Sequence, residues 1–164
     1  MSGLAVLAGW ASRAGAVVGA VALAAMILLI TAQVVSRRLL SVPLVVADEV
    51  SGYLLVIVTF MGLGYALLNG DHIQVTLLTG SLGARTRAWL RVAWCVIAAP
   101  YLSLLLVRTA ALAWESFHRQ TFSVSATNFL LWPIQVFVPL GFAVLLLQLL
   151  AELALAARAV REAV

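Results

Sequence analysis

The sequence predicts an all-α integral membrane protein with four transmembrane helices and a short interfacial helix after the second. The first observation behind this prediction is composition, because 65% of the 164 residues are hydrophobic, only 10% are charged, and the mean hydropathy is +1.14. An ordinary soluble domain is about 45–50% apolar and about 25% charged. The second observation is that four segments are long and apolar enough to cross the roughly 30 Å of hydrocarbon in a bilayer.

The first predicted transmembrane helix covers about residues 14–35, which carry no charge. Its apolar core is longer than the hydrophobic region of a secretory signal, and it leads into Arg37 and Arg38. Gly15 and Gly19 form a G-x-x-x-G pattern, which permits close approach of a second helix. We therefore expect an anchor helix that packs closely on a neighbour.

The second predicted helix covers about residues 50–68. Pro43 precedes it and disfavours helical structure in the residue before it, so the chain is expected to break there. Asn69 and Gly70 follow it, and both residue types tolerate the left-handed conformation that ends many helices.

A short interfacial helix is predicted directly after the second span, in the sequence DHIQVTLLTG. Asp71 can cap this helix, and its apolar residues can lie along the membrane surface. His72 would then lie at the level of the lipid headgroups. A single histidine beside an aspartate is more often a hydrogen-bonded surface residue than a metal or proton site.

The third predicted helix covers about residues 88–107, and the fourth covers about 129–151. Arg91 and Arg108 are expected near the two ends of the third helix, where long side chains can reach the headgroups. No acid or base is expected in the middle of any span, although charged groups at mid-membrane usually mark proton relays and ion-coupled sites. No repeat divides the chain, so residues 1–164 are predicted to form a single membrane domain.

Charged residues stand at the start of the second helix. Asp48 and Glu49 lie where the free amides of a helix N-terminus present partial positive charge. Arg37 and Arg38 lie across the short first loop, so an ion pair within the chain is one interpretation. Contact between these charges and a partner protein is the other.

Several functions are disfavoured by composition. The net charge of +4 and pI of about 10.2 come with no nucleic-acid recognition motif, so we interpret the arginines as determinants of membrane orientation and expect no nucleic-acid partner. Six arginines near the two ends and the second loop, against four in the other loops, favour both termini in the cytoplasm. Cys95 is the single cysteine, which excludes metal motifs built on several cysteines. No nucleophile–base pattern, zinc spacing or phosphate-binding glycine loop is present, so we expect neither an enzyme nor a cofactor.

Three stretches resemble a known transporter family: ADEVSGYLLVIVTFMGLGYAL, GDHIQV, and LLWPIQVFVPLGFAVLLLQLL. The sequence is similar to the small membrane subunit, the DctQ-like component, of tripartite ATP-independent periplasmic (TRAP) transporters. The resemblance implies a multi-pass protein of the bacterial inner membrane, partnered by a large membrane subunit that moves as an elevator. It also implies a periplasmic substrate-binding protein that delivers an organic acid, such as a dicarboxylate or sialic acid.

In that scheme the small subunit resembles a non-catalytic scaffold that contacts both the large subunit and membrane lipid. An elevator needs a stationary part, and polar residues at both ends of an apolar helix fix its depth in the bilayer. The candidate interface or anchoring residues are Arg37, Asp48, Glu49, Tyr53, Asp71 and His72.

Three other functions stay open at this point. A membrane anchor of a respiratory oxidoreductase would bind b-type haem through two histidines, and His72 and His118 are the candidates. A small dimeric exporter would need a carboxylate embedded in the membrane, and residues 14–35 contain none. An unrelated four-helix assembly factor is the third.

Overall fold

The computed structural model describes residues 3–39, 41, 45–69, 84–124 and 128–162. The helices in this part of the chain are α1 (Gly3–Leu39), α2 (Val45–Leu68), α3 (Ala84–Arg119), α4 (Trp132–Gln135) and α5 (Phe137–Glu162). Among these described residues, four helical segments are long and apolar enough to cross a membrane, which confirms the predicted fold class. The predicted interfacial helix, with Asp71 and His72, lies outside the described residues.

Two helices are much longer than the bilayer is thick. α1 has 37 residues and α3 has 36, so each is about 54 Å long at 1.5 Å per residue, against about 30 Å of hydrocarbon. Such helices tilt or extend into the headgroup layers. The predicted spans 14–35 and 88–107 therefore lie inside longer helices, and α3 continues past Val107 to Arg119.

The fourth span consists of two helical segments joined at Val136, whose backbone keeps helical angles (φ −65°, ψ −31°) and whose amide donates to the Trp132 carbonyl at 3.1 Å. α4 ends at Gln135, and α5 begins at Phe137. Pro133 lies in the first turn of α4 and Pro139 in the first turn of α5. At Pro133 the missing amide proton costs little, because the first amides of a helix have no intrahelical acceptor. At Pro139 the proline has no amide proton to donate, while the helical bonds from Val136 to Trp132 and from Leu140 to Val136 are present on either side.

α1, α2 and α5 pack against one another in pairs. A Cβ added to Gly15 would lie 2.7 Å from the Met61 carbonyl oxygen, and one added to Gly19 would lie 3.5 Å from that of Val58. The G-x-x-x-G pattern therefore lies at the α1–α2 contact, as expected. A Cβ on Gly141 would overlap the Phe60 carbonyl, so the α2–α5 contact is equally close.

A buried hydrogen bond joins α1 to α5 at a point where both helices lie against α2. Ser12 is fully buried, and its Oγ donates to Oε1 of Gln148 at 3.4 Å. A Cβ added to Gly64 of α2 would lie 3.1 Å from the same Oγ. Small residues thus bring three helices together around one polar pair, the usual way helices associate in lipid.

α3 is the edge helix of the bundle. It packs on α4 and α5 through a buried strip of small residues that includes Cys95, Ala113 and Ser116. In the described part of the chain, its contact with α1 and α2 is marginal. Most of its circumference is therefore exposed.

The helices alternate in direction, which brings polar groups together at one end. We call the end where α1 ends, α2 begins and α3 ends the upper end, and the opposite one the lower end. Ser123 and Phe129 of the α3–α4 connection contact Tyr53 near the upper end of α2.

Candidate functional site

A side-chain hydrogen bond joins α1 to α2 at the upper end. Nε2 of Gln33 donates to Oδ1 of Asp48 at 2.9 Å, and Gln33 is only 8% exposed. No ion pair within 4.0 Å joins Asp48 to Arg37 or Arg38, three residues that the structure describes. The neutral amide, rather than an arginine, is therefore the partner of this carboxylate.

A polar groove of about 550 Å³ opens beside this bond. It is lined by Gln33, Val34, Arg37, Arg38 and Asp48. Arg37 and Arg38 are both exposed, so their guanidinium groups can donate hydrogen bonds to a group that enters the groove. Such a groove can accept an acidic group from a partner subunit or a lipid headgroup.

The next turn of α2 is bonded to the loop after α3. The Tyr53 hydroxyl donates to Oε1 of Glu49, one helical turn earlier. The Ser123 side chain forms a second hydrogen bond with Tyr53. Phe129 packs edge-on against the Tyr53 ring, with ring centroids 6.4 Å apart. These contacts hold the α3–α4 connection over the start of α2.

The two described arms of the α3–α4 connection, residues 120–124 and 128–131, pair with each other, and we call them the hairpin. The Ser123 amide donates to the Phe129 carbonyl at 2.7 Å, and the Leu131 amide donates to the Thr121 carbonyl at 3.0 Å. At its base, Phe117 packs edge-on against Trp132 with centroids 5.2 Å apart. The hairpin is therefore tied at its base to α3 and α4, and at its side to α2.

Four of the six candidate residues are described by the structure, and they fall into two groups. Arg37 and Asp48 line the groove, while Glu49 and Tyr53 bind each other beside the hairpin. Asp71 and His72 lie outside the described residues.

The structure adds Gln33, Ser123 and Phe129 to this site. Gln33 is one of the polar residues within the predicted spans, and such residues commonly form hydrogen bonds between neighbouring helices, so the sequence indicated a bond of this kind without its partner. Ser123 and Phe129 carry no such signal, because their place depends on how the hairpin folds over α2.

The second histidine considered for haem binding lies at the end of α3. His118 is exposed, its Nδ1 is 3.1 Å from the Trp114 carbonyl, and its ring lies 4.4 Å from the Trp114 ring centroid. His72 falls outside the described residues. Among the residues the structure describes, no group of three or more His, Cys, Asp or Glu is placed to hold a metal ion.

A family model gives the decisive comparison. The model described as "Tripartite ATP-independent periplasmic transporters, DctQ component" matches residues 26–159, most of the chain. The chain belongs to the DctQ family. A comparison with individual curated proteins gave no match.

The family confirms the resemblance and sets the context of the site. This DctQ chain is the small membrane subunit of a TRAP transporter and a multi-pass protein of the inner membrane. The family works in a tripartite complex with a large membrane subunit and a periplasmic binding protein. A respiratory haem anchor gains no support from it. The matched region contains the groove, the Glu49–Tyr53 pair and the hairpin.

Proposed function

We propose that this DctQ chain is a non-catalytic scaffold for the large, elevator-type subunit of its transporter. As a single membrane domain, it supports ion-coupled uptake of an organic acid, similar to a dicarboxylate or sialic acid, that a periplasmic binding protein delivers. The observation that carries the proposal is the family match together with the form of the bundle. Three helices are held closely by Gly15, Gly141 and the buried Ser12–Gln148 bond.

The upper end is proposed to face the periplasm, with both termini in the cytoplasm. Arg108 lies within α3, which leaves Arg37, Arg38 and Arg119 as the arginines of the upper end. Six arginines belong to the lower end: Arg13, Arg85, Arg87, Arg91, Arg158 and Arg161. Basic residues are retained preferentially on the cytoplasmic side.

Depth control is the proposed role of the polar residues around α2. A helix with polar groups at both ends resists sliding along the membrane normal, because any shift buries them or exposes apolar surface. Asp48, with Gln33, and Glu49, with Tyr53, hold the upper end in this proposal. Arg37 adds a headgroup or partner contact in the groove. Asp71 and His72 are proposed to act at the lower end.

Co-purification tests the assembly part of this proposal. The chain is co-expressed with the large membrane subunit of its own transporter and extracted in mild detergent. We expect the two to elute together, and mass spectrometry identifies the companion. Recovery of the chain alone under conditions in which the large subunit stays folded would contradict the scaffold role.

A further inference from the structure

The outward face of α3 carries an arginine within the membrane-spanning part of the helix. We define this face as Ile97, Tyr101, Leu104 and Arg108, which follow one another at three- and four-residue spacing on one side of the helix. Ile97, Tyr101 and Leu104 are 67%, 63% and 53% exposed, and Arg108 is exposed as well.

The depth of Arg108 follows from the packing, beginning with α2. The charge-free stretch of α2 runs from Val50 to Leu68, and its length of about 28 Å matches the hydrocarbon layer. Its middle is therefore at Thr59 and Phe60. Gly141 of α5 packs against the Phe60 carbonyl, which places Gly141 near mid-membrane.

The packing of α3 beside α5 shows which residue of α3 lies at the same depth as Gly141. The two helices run in opposite directions, and Phe117 meets Trp132 at the upper end. Nine residues below that contact are Arg108 on α3 and Gly141 on α5. Nine helical residues correspond to about 13 Å along either helix. Arg108 therefore lies near mid-membrane, whereas the sequence pattern suggested the end of the span.

Arg108 has no partner within the described chain. It makes no hydrogen bond or ion pair with another described residue, and neither does the Tyr101 hydroxyl. Glu115 lies two turns above Arg108 on the same side, but its carboxylate binds Arg119 at 2.9 Å. Helical side chains point towards the helix N-terminus, which here is the lower end, so the Arg108 side chain does not point towards the upper headgroups.

We propose that the outward face of α3 docks on the large transporter subunit, and that Arg108 binds an acidic side chain which that subunit carries at mid-membrane depth. The inference rests on the proposed scaffold function and adds the face and the chemistry of the contact. Charged residues inside membranes normally face protein or water and pair with an opposite charge. Arg108 faces away from its own bundle, so the opposite charge comes from another chain. The outward face of α1, by contrast, needs only lipid, since Val17, Val21 and Leu28 are exposed and aliphatic.

Photocross-linking in the assembled transporter tests the docking face. A benzophenone amino acid replaces Leu104 on α3 or, as the matched control, Val21 on α1. We expect Leu104 to yield an adduct identified as the large subunit, at about ten times the yield from Val21. An adduct from Leu104 to lipid alone, or to a second copy of this chain, would overturn the proposal.

Substitution of Arg108 tests the charge itself. We expect Arg108→Gln to lower the recovery of the large subunit about tenfold, the effect of losing one charge-assisted hydrogen bond. Arg108→Lys should restore part of it, because lysine keeps the charge without the forked donors. The melting temperature of the isolated Arg108→Gln chain in detergent should equal or exceed that of the wild type. A lower value would assign Arg108 to the chain's own fold and would contradict the proposal.

The outcomes separate this inference from the scaffold function. If the wild-type chain recovers no large subunit, the scaffold function fails and the docking face fails with it. If the wild-type chain and Arg108→Gln recover it equally, and Leu104 gives no adduct with it, the docking face alone fails.

Discussion

α1 and α3 are almost equal in length, yet their outward faces differ in chemistry. α1 exposes aliphatic side chains without a charge between Arg13 and Arg37. α3 exposes Tyr101 and Arg108 among its apolar residues and carries exposed tryptophans at both ends. Lipid satisfies the first kind of surface completely, whereas it leaves the polar groups of the second without partners. Two helices of similar hydropathy can therefore have different neighbours, and the polar groups on the exposed face distinguish them.

Placing a charge on the α1 face should have the largest effect. Val21→Arg would put an unpaired arginine into lipid, at a cost of about 2.5–3.5 kcal/mol on insertion scales. We expect a clear fall in the membrane-inserted fraction, measured by alkali extraction of membranes. Val21→Leu is the control and should insert normally. Normal insertion of Val21→Arg would mean that the α1 face also contacts protein or water.

The inward faces of α1 and α3 also differ. α1 packs on α2 through close backbone contact, whereas α3 lies at the edge of the bundle. Gly15→Leu would push side-chain atoms into the Met61 carbonyl, and overpacking of this kind typically costs about 1–3 kcal/mol. We expect a lower melting temperature of the isolated chain in detergent. Gly62→Ala is the matched control, since nothing lies within 4 Å of a Cβ at Gly62. An unchanged melting temperature for Gly15→Leu would show that the α1–α2 contact is looser than described.

Charge reversal at the upper end of α2 should weaken assembly to a lesser degree. Glu49→Lys removes the acceptor of the Tyr53 hydroxyl and places a cation at the helix N-terminus, where about 0.3–1 kcal/mol is lost. We expect reduced recovery of the large subunit. Glu115→Lys makes the same charge change on an exposed residue at the upper end of α3 and should reduce recovery less. Wild-type recovery of Glu49→Lys would remove Glu49 from the anchoring group.

The smallest effect is expected where the hairpin links α3 to α2. Tyr53→Phe removes the hydrogen bonds to Glu49 and Ser123 while keeping the ring against Phe129. Hydrogen bonds between helices in membranes contribute about 0.6 kcal/mol each. We expect a broader distribution of distances between spin labels at the upper ends of α2 and α3. Thr59→Val is the control, because the Thr59 hydroxyl bonds only its own helix at the Leu55 carbonyl. Identical distributions for wild type and Tyr53→Phe would assign the link to the remaining hairpin contacts.

The spans were predictable from sequence because lipid requires long apolar runs, and the G-x-x-x-G contact of Gly15 and Gly19 followed from the small size of glycine. The helix ends were not predictable from hydropathy, since a helix continues through the headgroup layers without needing apolar residues. That is why Arg108 was expected near a helix end and lies well inside α3.

The candidate site was predictable only where its contacts are local. Glu49 and Tyr53 stand one turn apart, so their hydrogen bond could be deduced from spacing. The Gln33–Asp48 bond depends on how α1 crosses α2, and the Ser123–Tyr53 bond depends on the fold of a hairpin. Neither arrangement is encoded in a local pattern.

The central claim is that this DctQ chain supports transport by a larger subunit and carries nothing itself. Purified chain is reconstituted into liposomes with an ion gradient, alone or with the large subunit and the periplasmic binding protein, and uptake of labelled organic acids is measured. We predict no uptake by the chain alone and uptake by the complete set. Uptake by the chain alone would contradict the account.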